Sequence, residues 1–84
     1  MKTNTINTQI TNTRNSIAKH QEMGNTDKVT YFKGKGAALY EVKATISQRI
    51  AELTAKKDTY VANGKDKKAK EITKVIDELT KILG

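Results

Sequence analysis

The clearest periodicity lies between residues 66 and 83. At 100° per residue, Ala69, Ile72, Val75, Ile76, Leu79, Ile82 and Leu83 share one face, and Lys67, Lys70, Lys74 and Lys81 oppose them. An amphipathic helix is predicted there. Upstream, Phe32, Leu39, Ile46, Leu53 and Tyr60 recur every seven residues, with Val29, Val42, Ile50 and Val61 beside them. That spacing predicts one long helix over about 27–62. Gly34 and Gly36 fall inside it, each costing about 1 kcal/mol relative to Ala, so a break or late start near them is the competing expectation. The opening segment reads two ways. Nine of the first sixteen residues are Thr or Asn, and Thr3-Asn4-Thr5 returns as Thr11-Asn12-Thr13. Ile6, Ile10 and Ile17 fit a helix face, whereas Ile6, Thr8 and Ile10 also fit one face of a strand. Helix over about 4–23 is preferred, because the pattern runs unbroken from Ile17 to Met23.

Punctuation comes from Met23-Gly24-Asn25-Thr26-Asp27 and Ala62-Asn63-Gly64-Lys65-Asp66. Each holds a Gly suited to a left-handed helix end and an Asp able to cap the next helix. The chain is thus read as a single all-α domain of antiparallel helical hairpins built on one long central helix. A helix over 27–62 would be about 50 Å long, and the flanking helices about 30 Å or less. Such a rod is two helices thick, so completion of a bundle by oligomerisation, a homodimer first, is expected; a broken central helix would instead allow a compact three-helix monomer. Lys43 and Lys57 fall close to the apolar seam. There a polar residue can fix register, although long stems can also carry the charges out to water.

Composition agrees with a thin core. Eighty-four residues with 36% hydrophobic content make one small domain. The absence of Cys removes disulfides, thiolate nucleophiles and zinc ribbons, and the single His20 cannot build a metal site alone. No apolar run is long enough for a signal peptide or a membrane span, so a cytoplasmic setting is expected.

Charge changes the picture most. Sixteen basic residues against nine acidic ones leave +7, and fourteen of the sixteen are Lys. Two stretches concentrate it. Lys28-Val29-Thr30-Tyr31-Phe32-Lys33-Gly34-Lys35-Gly36 interleaves lysines with aromatics, so Lys28, Lys33 and Lys35 could meet phosphates while Tyr31 stacks on a base; Phe32 belongs to the heptad core. The second surrounds the other turn: Lys56, Lys57, Lys65, Lys67, Lys68 and Lys70 against only Asp58 and Asp66. Lysines at a helix start oppose its dipole, which suggests an anion there. The opposing reading has Asp66 capping the helix, while Lys67 with Glu71 and Lys74 with Glu78 form i,i+4 pairs.

Enzymatic readings are weak. His20 with Ser16 lacks an orienting acid and reads as a surface residue, and Glu41, Glu52, Asp77 and Glu78 face outward. Gly34-Lys35-Gly36 lacks the rest of a phosphate-loop pattern. No catalysis and no cofactor are expected. Lysine in place of arginine favours phosphate contacts over base reading. The expected partner is nucleic acid, RNA first; the alternatives are an acidic host protein docked by a helix face, or an anionic nucleotide held between Lys43 or Lys57 and an aromatic.

The run Tyr31-Phe32-Lys33-Gly34-Lys35-Gly36-Ala37-Ala38-Leu39-Tyr40-Glu41-Val42 resembles a Tyr-x-x-Gly-Lys-x-x-Ala-Leu-x-x-Val pattern of short helical phage proteins. In size, lysine content and lack of Cys the chain is similar in character to phage early proteins that counter host defences. One such class is TifA, a small basic RNA-binding inhibitor of a toxin ribonuclease. The resemblance implies a non-enzymatic inhibitor or nucleic-acid binder and transfers no site residue.

Overall fold

Three helices account for nearly all of the computed structural model, which describes residues 4–84: α1 (Ile6–Glu22), α2 (Thr26–Ala62) and α3 (Asp66–Leu83). Residues 1–3 of the Thr- and Asn-rich opening lie outside the described residues. The fold is all-α, with α2 packed against both flanking helices. The helical reading of the opening segment holds from Ile6 rather than from residue 4, because Thr5 is the N-cap and its hydroxyl accepts from the Thr8 amide at 3.1 Å. Threonines inside α1 return their hydroxyls to the helix: Thr11 donates to the Asn7 carbonyl and Thr13 to that of Gln9.

Both turns share one hydrogen-bond pattern. At the first, the Gly24 amide donates to Gln21 and that of Asn25 to His20; at the second, Gly64 donates to Val61 and Lys65 to Tyr60. With φ of 70° and 71° at the two glycines, both are Schellman endings. The residue that completes each ending is also the N-cap of the next helix. The capping role therefore falls to Asn25, whose Oδ1 accepts from the Lys28 amide at 3.5 Å, and to Lys65, which has no side-chain cap bond. This corrects the expectation that Asp27 and Asp66 are the caps. Both aspartates instead occupy first turns, where their charge suits the dipole.

α2 runs unbroken through Gly34 and Gly36. Its half-buried residues are Val29, Phe32, Gly36, Leu39, Lys43, Ile46, Ile50, Leu53, Lys57 and Tyr60, alternately three and four apart, the seam of a left-handed helix pair. α1 covers the first half of that seam with Ile6, Ile10, Thr13, Ile17 and His20, and α3 covers the second with Ala69, Ile72, Ile76, Leu79 and Leu83. α1 passes close to α2 at Gly36, where a Cβ would lie 3.5 Å from Thr13 Cγ2, an ordinary contact distance. The flanking helices meet end to end, where Asn7 Nδ2 donates to the Gly84 carbonyl at 2.8 Å.

The outcome is a thin layer, 60 × 26 × 12 Å, with a radius of gyration of 17.9 Å. A compact chain of this length would have about 12 Å. Among the described residues only Ile10, Ala69 and Thr13 are buried, and α2 has no buried residue. His20 is not the surface residue its polarity suggests. It is half-buried and stacks on Phe32, ring centroids 5.6 Å apart, with Nδ1 buried and unpartnered.

Candidate nucleic-acid interface

A single layer of helices has two broad faces, and the seam divides the charges between them. Residues just before the Val29 series of the seam lie on one face: Lys28, Lys35, Val42, Arg49 and Lys56 of α2. Residues just after the Phe32 series lie on the other: Lys33, Tyr40, Ser47, Thr54 and Val61. In α3 the same rule places Lys68, Val75 and Ile82 on the first face, with Thr73 and Thr80 on the second. Two hollows agree with this division. Lys35 lines one with Gln9 and Ser16 of α1, and Lys56 lines the other with Lys68 of α3.

The second hollow is the stronger site. It is an open groove of about 460 Å³ lined by Lys56, Tyr60, Lys67, Lys68, Glu71 and Ile72. The turn at Gly64 folds α3 back along α2, which brings Lys67 and Lys68 beside Lys56 and Tyr60. Lys68 Nζ lies 5.7 Å from the centre of the Tyr60 ring, within cation–π range. Glu71 is the groove's carboxylate, and Lys74 Nζ meets its Oε1 at 3.0 Å. An adjoining hollow is formed by Gly64, Lys65, Asp66, Lys67 and Lys68 at the start of α3. The helix start there has first-turn amides without a side-chain cap.

Of the residues singled out in the sequence, Lys56, Lys67 and Lys68 converge, with Lys65 adjoining. Lys57 is half-buried on the seam and Lys70 lies across α3 on the opposite face. Lys28 and Lys35 share the broad face of Lys56 and Lys68, whereas Lys33 lies on the other. Tyr31 borders the basic face and is 60% exposed, edge-on to Phe32 with centroids 5.0 Å apart. It stands 29 residues before Tyr60 on one continuous helix, about 43 Å away. The two stretches are therefore opposite ends of one molecule rather than one patch.

Sequence reasoning assigned Tyr60 to the core and so missed it as a groove wall. The i,i+4 spacing of Lys56 and Tyr60, read together with the turn that returns Lys68, is the signal that could have found it. The expected i,i+4 pairs also differ: among the described residues the ion pairs are Glu71–Lys74 and Arg49–Glu52, both i,i+3. Lys74 approaches the glutamate before it rather than the one after, which leaves Lys67 to the groove. No protein-family model, curated protein or solved structure matches the chain. Among the described residues no helix is long and apolar enough to cross a membrane, and no group of three or more His, Asp or Glu side chains could hold a metal ion.

Proposed function

We propose that the chain binds the phosphate backbone of RNA, acting by occupancy rather than turnover. The observation that carries this reading is the convergence of Lys56, Lys67 and Lys68 from two helices in one open groove walled by Tyr60, with Lys68 over the Tyr60 ring. Lysines are point charges suited to phosphate, and a tyrosine wall offers a stacking surface to an unpaired base. Lys28 and Lys35 extend the same face toward Tyr31. Exposed Val42, Val75 and Ile82 lie between the two cationic ends and give apolar ground for bases and sugars. With lysine dominant, sequence preference is weak. The resemblance to phage counter-defence proteins, which implies a non-enzymatic inhibitor or nucleic-acid binder, agrees with this reading.

Fluorescence anisotropy with a 20-nucleotide single-stranded RNA across a salt series tests it. Four to six phosphate contacts on a single strand give log K against log salt a slope of about −3 to −4. Reversing Lys56, Lys67 and Lys68 to Glu is expected to weaken binding at least about tenfold, and reversing Lys70 on the opposite face less than about twofold. Absence of binding at 50 mM salt, or affinity indifferent to salt, would refute the proposal.

A further inference from the structure

The face opposite the lysine groove carries little net charge, and its charges are ordered. Arg14 and Lys33 lie toward the α1 end, whereas Asp58, Asp66 and Asp77 lie toward the α3 end with Lys70. Between them α2 presents Ala37, Tyr40, Ala44, Ser47, Ala51 and Thr54, small or uncharged residues along its middle. We propose that this face is covered by a second copy of the chain, antiparallel and related by a two-fold axis near residues 45 and 46 of α2.

Three observations point to that occupant. The first is area. The chain exposes 6333 Å², whereas a compact monomer of its mass exposes about 5000 Å². The excess, about 1300 Å² per copy, is the amount each partner of an obligate homodimer contributes. The second is complementarity. A two-fold near residues 45 and 46 brings Lys33 of one copy level with Asp58 of the other, and in the same register Tyr40 meets Ala51, Thr54 meets Ala37, and Ala44 meets Ser47. One of these levels pairs opposite charges, one sets Tyr40 against an alanine, and two set small residues against each other, so the face can meet its own copy without a clash of like charges. The third is the contrast with the other face. There the same operation sets Lys35 against Lys56 and Val42 against Arg49. The charged residues of the series Lys28, Lys35, Arg49 and Lys56 are all cations, and the anions on the same face, Glu52 paired with Arg49 and Glu71 paired with Lys74, leave it net positive against its own copy. Stacking two layers through the neutral face makes a four-helix bundle across the α2 pair, covers the open seam and leaves both lysine grooves outward.

The test is a charge swap read by sedimentation equilibrium. The unaltered chain sediments at twice its 9.3 kDa mass. Lys33→Asp alone and Asp58→Lys alone each weaken self-association about tenfold, and the doubly altered chain K33D/D58K recovers it to within about threefold. On one chain these residues are about 37 Å apart on a rigid helix, so recovery requires contact between copies. Lys35→Asp on the basic face leaves the mass unchanged. A chain that sediments at 9.3 kDa, single variants without effect, or a double variant no better than either single one would overturn the proposal.

Discussion

Gly34 and Gly36 sit two residues apart in one helix, yet their surroundings differ. Nothing approaches within 4 Å of where a Cβ at Gly34 would lie, and one at Gly36 would rest at ordinary contact distance from Thr13. Neither needs the conformational freedom of glycine, so each alanine substitution gains about 1 kcal/mol of helix propensity. Thermal unfolding at fixed concentration should rise by about 4–8 °C for either variant. A fall for Gly36→Ala alone would contradict the room that the Thr13 side chain leaves for a Cβ there. Such positions show how far the sequence could be read at this scale. The heptad placed Phe32 and Leu39 on the seam, and it brought Lys43 and Lys57 close to it. His20 was misread because polarity alone could not show that its ring would stack on Phe32. Tyr60 lies on the seam where the heptad placed it, and its second role as a groove wall was missed because a seam residue at the end of a two-helix layer has one flank open.

At the scale of elements, the two glycine turns were legible and the caps were not. A Schellman ending uses the residue after its glycine to close the old helix, and that residue then starts the new one. With so short a connection the cap must be Asn25 or Lys65, one or two residues before the aspartates. α3 consequently begins without a side-chain cap. Lys65→Asn should stabilise the chain by about 0.5–1 kcal/mol in urea unfolding. It removes one cation from the groove's edge, so a small loss in RNA affinity accompanies the gain. An unchanged unfolding midpoint would show that the α3 amides already have a partner. The opening helix was ambiguous for a related reason: its threonines have strand character by pattern, and only inside α1 do the hydroxyls of Thr11 and Thr13 find carbonyls four residues back.

At the scale of the molecule, the formal +7 is not spread evenly. Much of the surplus falls on one broad face and on the seam, while the opposite face is close to neutral. Segment-by-segment counting could not reveal this, because each helix contributes to both faces; the division appears only once the antiparallel register is set. The all-α architecture followed from periodicity, and the pairing of the lysine groups did not. Lys67 and Lys68 join Lys56 through a turn, while Lys33 parts from Lys35 across a helix. The central claim is that the lysine face holds RNA. Light scattering of the chain with and without a 20-nucleotide single-stranded RNA at low salt tests it most directly. The predicted result is a mass increase by at least one RNA, reversed by raised salt and absent when Lys56, Lys67 and Lys68 are changed to Glu. A mass unaffected by RNA at low salt, or an increase that the triple variant retains in full, would contradict it.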